Sequence, residues 1–485
     1  MPASTLELDV LVKGAGPAGL TSALRLQQLG YRVGVVDRMT LPRAQIGEAL
    51  TPGVANILDL LGAHHILDAV PCQPAAPALI AWNSREPELL HGEGAGALLV
   101  DRGAFDSAML SLFSDRGGFA LAPSRLRSVE GEAGAWRVTM TVSGEIIVAT
   151  ARVLIDASGR AATQETRRFA TAPPLLATWV DLHSIGVQEH TLVEALTEGW
   201  LWGAALPGGR FRVMLLDDPR ATRRSCIGTP TRRLQEAVDG SQLFASNLPA
   251  IQSARVQACA ATSYIDERAW SATWIKTGDA AFAVDPLSSS GVEKAMRFSL
   301  QTAVAVHTLI ADSAAADLAS RFHFDRLIEG AERHAAWSQR HYREGWPGPQ
   351  HQFWATRGAD VDFGGSAIGS ALRNVRRERE VSRPPTRGLA FSYRNENLRV
   401  SHELGFADEL CVVNDIVQLC PAVTHPGLER PTAFVQGQGI VPLLQIARSA
   451  SRLDTIVGLW SYTMPAEAAR HIALWMLEKG LLTAS

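Results

Sequence analysis

The stretch Leu8-Asp9-Val10-Leu11-Val12-Lys13-Gly14-Ala15-Gly16-Pro17-Ala18-Gly19, followed by Val33-Gly34-Val35-Val36-Asp37, decides the fold of this chain. The first apolar run predicts a strand, and it leads directly into three glycines at GxGxxG spacing. Glycine there permits a turn with positive φ, close approach of the backbone to a pyrophosphate, and tight packing of the following helix on the strand. The helix N-terminus adds free N–H donors. The second run ends on Asp37, placed to hold ribose hydroxyls. Strand, turn, amphipathic helix and carboxylate follow in order within about 30 residues, as a dinucleotide-binding βαβ unit requires. Gly14, Gly16, Gly19 and Asp37 are therefore read as the site of a dinucleotide's adenosine half.

Composition fits that reading. The 485 residues are too many for one ordinary core, so two or three domains are expected. With 46% hydrophobic and 20% charged residues and a net charge of −3, the chain reads as soluble and globular, without bulk attraction to nucleic acid or anionic membrane. Five unevenly spaced cysteines form neither a CxxC metal pattern nor an even disulfide framework, which suits a reducing compartment. No leader-like segment precedes Leu6 and no apolar run reaches membrane-spanning length, so a cytoplasmic location is expected. Of 46 basic residues only four are lysines: Lys13, Lys276, Lys294 and Lys479.

Further motifs return the chain to the same crevice. Ile46-Gly47-Glu48-Ala49-Leu50-Thr51-Pro52 precedes a helix with apolar Val54, Ile57, Leu58 and Leu61, ending at Gly62. Val100-Asp101-Arg102 reads as a strand end feeding a helix, with Arg102 either a cofactor contact or a surface cap. Trp136 to Val142 and Ile146 to Ala149 alternate around Ser143-Gly144 as a hairpin. Val153-Leu154-Ile155 runs into Asp156-Ala157-Ser158-Gly159 as a second strand–turn unit. Thr277-Gly278-Asp279 offers an acidic strand end for ribose or ribityl hydroxyls. Asp285-Pro286-Leu287-Ser288-Ser289-Ser290-Gly291 aims backbone N–H groups into the pocket at the start of an apolar helix. Such a dipole end stabilises a reduced, anionic ring by about 0.3–1 kcal/mol when exposed and more when buried.

Together these motifs, from residue 9 to about 310, resemble the superfamily of FAD-dependent monooxygenases and flavin-dependent halogenases. The resemblance implies an α/β chain with a Rossmann-type FAD-binding domain (1–165 and 270–345) and an inserted, mostly antiparallel substrate sheet (166–269) laid over the isoalloxazine. It implies FAD with its pyrophosphate at Gly14, Gly16 and Gly19 and its adenosine ribose on Asp37. Arg43 and Arg102 then lie near the flavin, Asp279 at the ribityl phosphate region, and Pro286, Ser290 and Gly291 in the flavin-facing turn. It also implies dioxygen as oxidant through a flavin C4a-hydroperoxide, which hydroxylates a substrate or oxidises halide.

Gly199-Trp200-Leu201-Trp202-Gly203-Ala204-Ala205-Leu206-Pro207 is similar to the halogenases' Trp-x-Trp-x-Ile-Pro element, with two extra residues before the Leu-Pro pair. Alternating aromatics on a strand also serve packing; on either reading Trp200 and Trp202 face the substrate pocket. Tryptophan halogenases need a lysine after their Gly-Glu loop, yet none occurs here between Lys13 and Lys276. Ser288 stands where halogenases of free tryptophan carry glutamate. Arginine cannot substitute for the lysine, because its guanidinium stays protonated. Hydroxylation needs no such lysine, so a monooxygenase acting on an electron-rich aromatic ring is the favoured reading and a halogenase the runner-up. Glu48, Asp285 and Ser288 are the candidate catalytic residues.

The last third departs from a minimal hydroxylase. Residues 346–390 read as a helical segment and linker, with a charged run from Arg373 to Arg383 closing at Pro384-Pro385. Residues 391–485 read as a small, mainly helical, winged-helix-like module with three short helices between Ile440 and Leu482. No base-reading motif accompanies it; a peptide-docking arm and a dimerisation or lid domain are both open. The Gly-Glu loop, Ala81-Trp82-Asn83-Ser84, the Ser288-Ser289-Ser290 turn and the missing lysine resemble the flavoprotein monooxygenases that hydroxylate a precursor protein's tryptophan during tryptophylquinone maturation, of the quinohemoprotein amine dehydrogenase type. A natural-product phenol or indole is the other substrate class. The electron source is open among NADH, NADPH and a separate flavin reductase. An FAD-containing adaptor that presents a precursor to other enzymes is the reading of another class. Scattered histidines without HxH or HExxH spacing argue against a metal site. Arg223-Arg224 and Arg232-Arg233 read as solvated charge or as contacts to an acidic partner.

Overall fold

The computed structural model describes residues 5–43, 45–90, 96–162, 167–183, 190–220, 229–245, 251, 255–381 and 397–484. Arg223-Arg224 and Pro384-Pro385 lie outside the described residues. The chain forms two compact units, one of Met1–His307 with His323–Phe363, the other of Thr308–Phe322 with Gly364–Ser485.

The first unit is built on the strand Thr5–Lys13, which pairs in parallel with Val33–Val36 on one side and Glu145–Asp156 on the other. The strand order runs 270–271, 274–276, 145–156, 5–13, 33–36, 119–121. Val10, Val12, Val33, Val35 and Ile155 are fully buried, as apolar parallel strands covered on both faces must be. Helix Pro17–Gln28 covers one face with Leu20, Leu24 and Leu26, none of them exposed. The expected hairpin and the expected second strand are one element. Glu145–Asp156 pairs antiparallel with Ala135–Val142 across Ser143-Gly144, both at positive φ, and parallel with 5–13 along its inner length. Its hydrophobic pattern changes from alternating to continuous where it enters the buried sheet, which is why the sequence read it as two pieces.

A second sheet has seven strands in the order 257–260, 176–183, 210–217, 199–206, 191–196, 78–81, 88–90. All its pairs are antiparallel except 191–196 with 78–81. Two of the strands, Ala78–Ala81 and Glu88–Leu90, come from outside the 166–269 insertion. The period-2 alternation of strands divides the sheet into two faces. Val180, Leu182, Leu201, Val213 and Leu215 pack with Leu234 and Val238 of helix Pro230–Asp239 and with Phe244. The opposite face carries the rows Ala177–Leu216–Trp200, Trp179–Met214–Trp202 and Asp181–Arg212–Ala204, each aligned across three strands.

One end of this sheet is pinned by aromatics. Trp82 meets Trp200 and Trp354 edge to face at 5.8 and 5.1 Å. Indole N–H groups of Trp82, Trp346 and Trp354 donate to the carbonyls of His341, Ala195 and Leu196, so these large rings are buried with their polar edge satisfied.

In the second unit, helices Ile440–Ala447, Leu453–Trp460 and Ala466–Glu478 converge on fully buried Ile440, Ile456, Trp460, Ile472 and Met476. A hairpin, Gly405–Val413 with Ile416–Thr424, precedes them and turns at Asn414-Asp415, both at positive φ. After the last helix Leu482–Ala484 pairs antiparallel with Leu398–Val400. Among the described residues no helix is long and apolar enough to cross a membrane.

Candidate active site

Between the parallel sheet and the Trp179–Met214–Trp202 face lies a cavity of about 900 Å³. Its glycine-rich end shows three distinct uses of the motif. Gly14 has φ +114°, and a Cβ there would meet the Ala157 carbonyl oxygen at 2.4 Å. A Cβ on Gly19 would strike the Gly14 carbonyl at 1.9 Å, so this glycine serves the close approach of helix to turn and contributes no cavity wall. Gly16 does line the cavity, and a Cβ there would find only Arg43 Nη2, at 3.9 Å. It caps helix Pro17–Gln28 without any side-chain cap, with Pro at the first helical position, which leaves the helix N-terminus to a ligand anion.

Asp37 is tied to this turn. Ala15 N–H donates to one carboxylate oxygen at 2.8 Å; Met39 N–H and Arg43 Nη1 donate to the other at 2.9 and 2.7 Å. Arg102 is buried at 6% exposure, which removes the surface-cap reading. Its Nη1 donates to the carbonyls of Ile46 and Gly47 at 3.1 and 2.9 Å, and its other nitrogens grip Asp106. It thereby fixes the Gly47 turn, at φ +94°, against the cavity.

Asp279 also borders the cavity. Lys294 Nζ donates to it at 2.6 Å and Arg160 stands 3.4 Å away; against the desolvation that raises its pKa, these cations hold it below the usual carboxylate range. In the 285–291 turn Asp285, Pro286, Ser289 and Gly291 form cavity wall, whereas Ser288 and Ser290 do not. The Ser288 hydroxyl donates to the Asp285 carbonyl at 3.2 Å and lies 2.9 Å from the Ser290 hydroxyl. Both side chains hold the turn in shape, and Ser289 takes its left-handed position at φ 49°.

Glu48 faces the sheet and is buried, with Arg212 Nη1 donating to its carboxylate. Arg212 Nε and Nη2 donate to both oxygens of Asp181 at 2.6 and 2.7 Å. Burial pushes the Glu48 carboxyl up, and Arg212 pulls it down only in part. Arg212 and Asp181 escaped the sequence reading. Their signal is Arg212 in register with Met214 and Leu216, a charge inside the strand 210–217 whose remaining residues between Arg210 and Asp217 are apolar. Asp285, also raised by burial, accepts the Tyr342 hydroxyl at 3.1 and 3.2 Å, and that hydroxyl accepts Trp200 Nε1 at 3.2 Å. Tyr342 was missed as well, lying 57 residues from Asp285 in the helix Ala316–Glu344. Trp200 and Trp202 both line the cavity, and Trp200 is also part of the aromatic cluster.

These residues fit FAD. A wall with no Cβ at Gly16, an uncapped helix N-terminus and the Asp37 carboxylate suit its pyrophosphate and adenosine ribose, and Arg43, Arg102 and Asp279 line the same cavity as the aromatic sheet face.

No family model matches the chain. It is 28% identical over 354 residues to a tryptophan 2-halogenase of Chondromyces crocatus, covering 68% of this chain and 66% of that protein. It is 26% identical over 380 residues to LodB of Marinomonas mediterranea, assigned as an FAD-dependent oxidoreductase, covering 72% and 97%. Among solved structures it is similar to QhpG, a peptidyl tryptophan dihydroxylase of tryptophylquinone cofactor biogenesis. There the TM-score is 0.73 at 23% identity, over 98% of this chain and 100% of that one. The fold, the fingerprint and these relatives support the superfamily of FAD-dependent monooxygenases and flavin-dependent halogenases, and with it an FAD-dependent oxidoreductase.

Proposed function

We propose that this protein is a monooxygenase that hydroxylates an electron-rich aromatic ring, a tryptophan of a precursor protein being the substrate favoured. The observation that carries the reading is the sheet face over the cavity. Among the described residues it presents Trp179, Trp200, Trp202 and Met214 and no lysine, and the one lysine lining the cavity, Lys13, is paired with Asp156 at 3.3 Å beside the glycine turn. Arg212, the cation of that face that lines the cavity, is committed to Asp181 and Glu48 and stays protonated.

Bound reduced FAD supplies the two electrons that activate dioxygen. The chain's own contribution is to bind, orient and keep dry. Gly16 and Asp37 seat the dinucleotide, Arg102 holds the Gly47 turn, and Trp179, Trp202 and Met214 give an aromatic substrate flat apolar contacts that exclude water. A precursor protein as substrate is supported by the end-to-end likeness to the fold of a peptidyl tryptophan dihydroxylase. NADH, NADPH or a separate reductase as electron source, and partner docking through residues 391–485, belong to the same proposal. Halogenation of a small aromatic is the second reading, favoured by the similarity to a tryptophan 2-halogenase.

Intact-mass spectrometry decides between them. Enzyme, FAD, reductant and labelled dioxygen are incubated with free tryptophan and with a tryptophan-containing precursor, with and without bromide. Labelled oxygen on the protein substrate, indifferent to bromide, is expected; a bromide-dependent mass on the small molecule would overturn hydroxylation. Partner binding without oxygen consumption would point to the adaptor.

A further inference from the structure

Behind the flavin cavity, Asp285 and Val284 also form part of a second, much smaller cavity of about 20 Å³. An internal space of at least about 10–15 Å³ accommodates one water, provided that it meets several polar partners. The walls supply them. Ser263 and Ser338 are 6% and 5% exposed, their hydroxyls have no hydrogen-bond partner, and both line this space together with Asp285, Tyr342 and His334. Two buried hydroxyls left unpartnered would each cost about 1–3 kcal/mol, a loss that a shared water recovers. Tyr342 bridges to both oxygens of Asp285, and His334, which lines this space, is only half-buried.

We propose that Asp285 and Tyr342 pass protons between the flavin cavity and an internal water held by Ser263 and Ser338, with His334 as the outlet. A dry cavity needs such a path. Reoxidation of an anionic reduced flavin takes up one proton: FADH⁻ + O₂ + H⁺ gives FAD + H₂O₂ without substrate, and FADH⁻ + O₂ + H⁺ + ArH gives FAD + H₂O + ArOH with it. In both cases two electrons pass from flavin to dioxygen, and in the second the ring's C–H becomes C–OH. The charged groups around Asp285 suit a carboxyl that exchanges its proton. Arg357 lines the small cavity on one side and Arg160 the large cavity on the other, both near enough to act on Asp285 without a direct hydrogen bond to it. Asp285 is thus neither locked in an ion pair nor left without partners.

The inference needs a bound reduced flavin but neither substrate reading, and its test uses no substrate. Reduced holoenzyme is mixed with dioxygen in weak buffer, with flavin absorbance and a pH-indicator dye followed together. In the wild type, proton uptake should keep pace with flavin oxidation. In Tyr342→Phe, which keeps the ring in the aromatic cluster, and in Ser338→Ala, uptake should lag by about tenfold or more at unchanged FAD affinity. A crystal structure of the FAD-free wild type should show one ordered water within hydrogen-bond distance of both serine hydroxyls. Uptake that keeps pace in both variants, or a small cavity without that water, would overturn the relay. A wild type that leaves every aromatic substrate unmodified would instead sink the hydroxylation reading and leave the relay standing.

Discussion

Gly16 and Gly19 belong to one motif yet answer to different physics, and substitution separates them. A side chain on Gly16 would project into the cavity where the pyrophosphate is expected, with only Arg43 nearby. Gly16→Val should therefore leave the melting temperature of the FAD-free protein unchanged while weakening FAD binding about a hundredfold or more, the equivalent of losing one or two charge-assisted contacts. Gly19→Ala forces a Cβ onto the Gly14 carbonyl and should lower the FAD-free protein's stability by about 1–3 kcal/mol, as overpacking does. Calorimetry with and without FAD reads both. Asp217 offers a pH-dependent counterpart. It ends the 210–217 strand, pairs with Arg233 of helix 230–239 and has one buried oxygen unpartnered; burial raises its pKa from 3.8 to about 6. The folded state thus holds this proton more tightly than the unfolded one. From pH about 4 to about 6 the carboxyl accordingly contributes a loss of stability as pH rises, about 3 kcal/mol across the window. Asp217→Asn lacks that slope, so urea unfolding should show the variant gaining on the wild type as pH rises. A constant difference between the two would show that Asp217 does not titrate there.

At the scale of elements, the 210–217 strand carries the contact that joins sheet to flavin loop. Arg212→Met would remove a cation held between two carboxylates and leave buried Glu48 without its ion-pair partner, while Asp181 keeps Arg210 at 3.4 Å. Removing one partner of a buried pair costs about 3–5 kcal/mol, so this variant should unfold at markedly lower urea, whereas Glu48→Gln keeps a hydrogen-bond acceptor and should lose far less. Equal losses would mean that Arg212 acts mainly through Glu48. The same strand shows where sequence reading ends. The βαβ unit was legible because its strand, glycines, helix and Asp37 are consecutive, and so were the 285–291 turn and the three C-terminal helices with their local apolar spacing. The Glu48–Arg212 contact spans 164 positions, and no local pattern reports a pairing made only when the 210–217 strand folds over the cavity. The strand 78–81 was missed for a related reason: it joins the sheet through the parallel partner 191–196, more than 100 residues away, and 88–90 is added to the sheet only through 78–81. For Ser288 and Ser290 the sequence shows a Ser-rich turn beside a pocket but not that their hydroxyls bond within the turn itself.

For the whole molecule, the two compact units give ligand binding a spatial signature. Every described residue lining the large cavity belongs to the first unit. A ligand that binds only folded protein stabilises it by about 2.7 kcal/mol at a hundred times its Kd, and it protects most strongly the segments whose opening would release it. On adding FAD, amide exchange should slow in residues 14–20, 45–50, 156–160 and 278–295, which frame the cavity. The helices 440–447, 453–460 and 466–478 have their own core around Trp460 and Ile472 and should exchange at unchanged rates. Adding a tryptophan-containing precursor to the FAD-loaded enzyme then tests the proposed role of residues 391–485, because docking there predicts new protection in the second unit, whereas free tryptophan predicts it only along 176–183, 199–206 and 210–217. Protection by precursor confined to the first unit would restrict recognition to the aromatic sheet face and leave the second unit without a part in it.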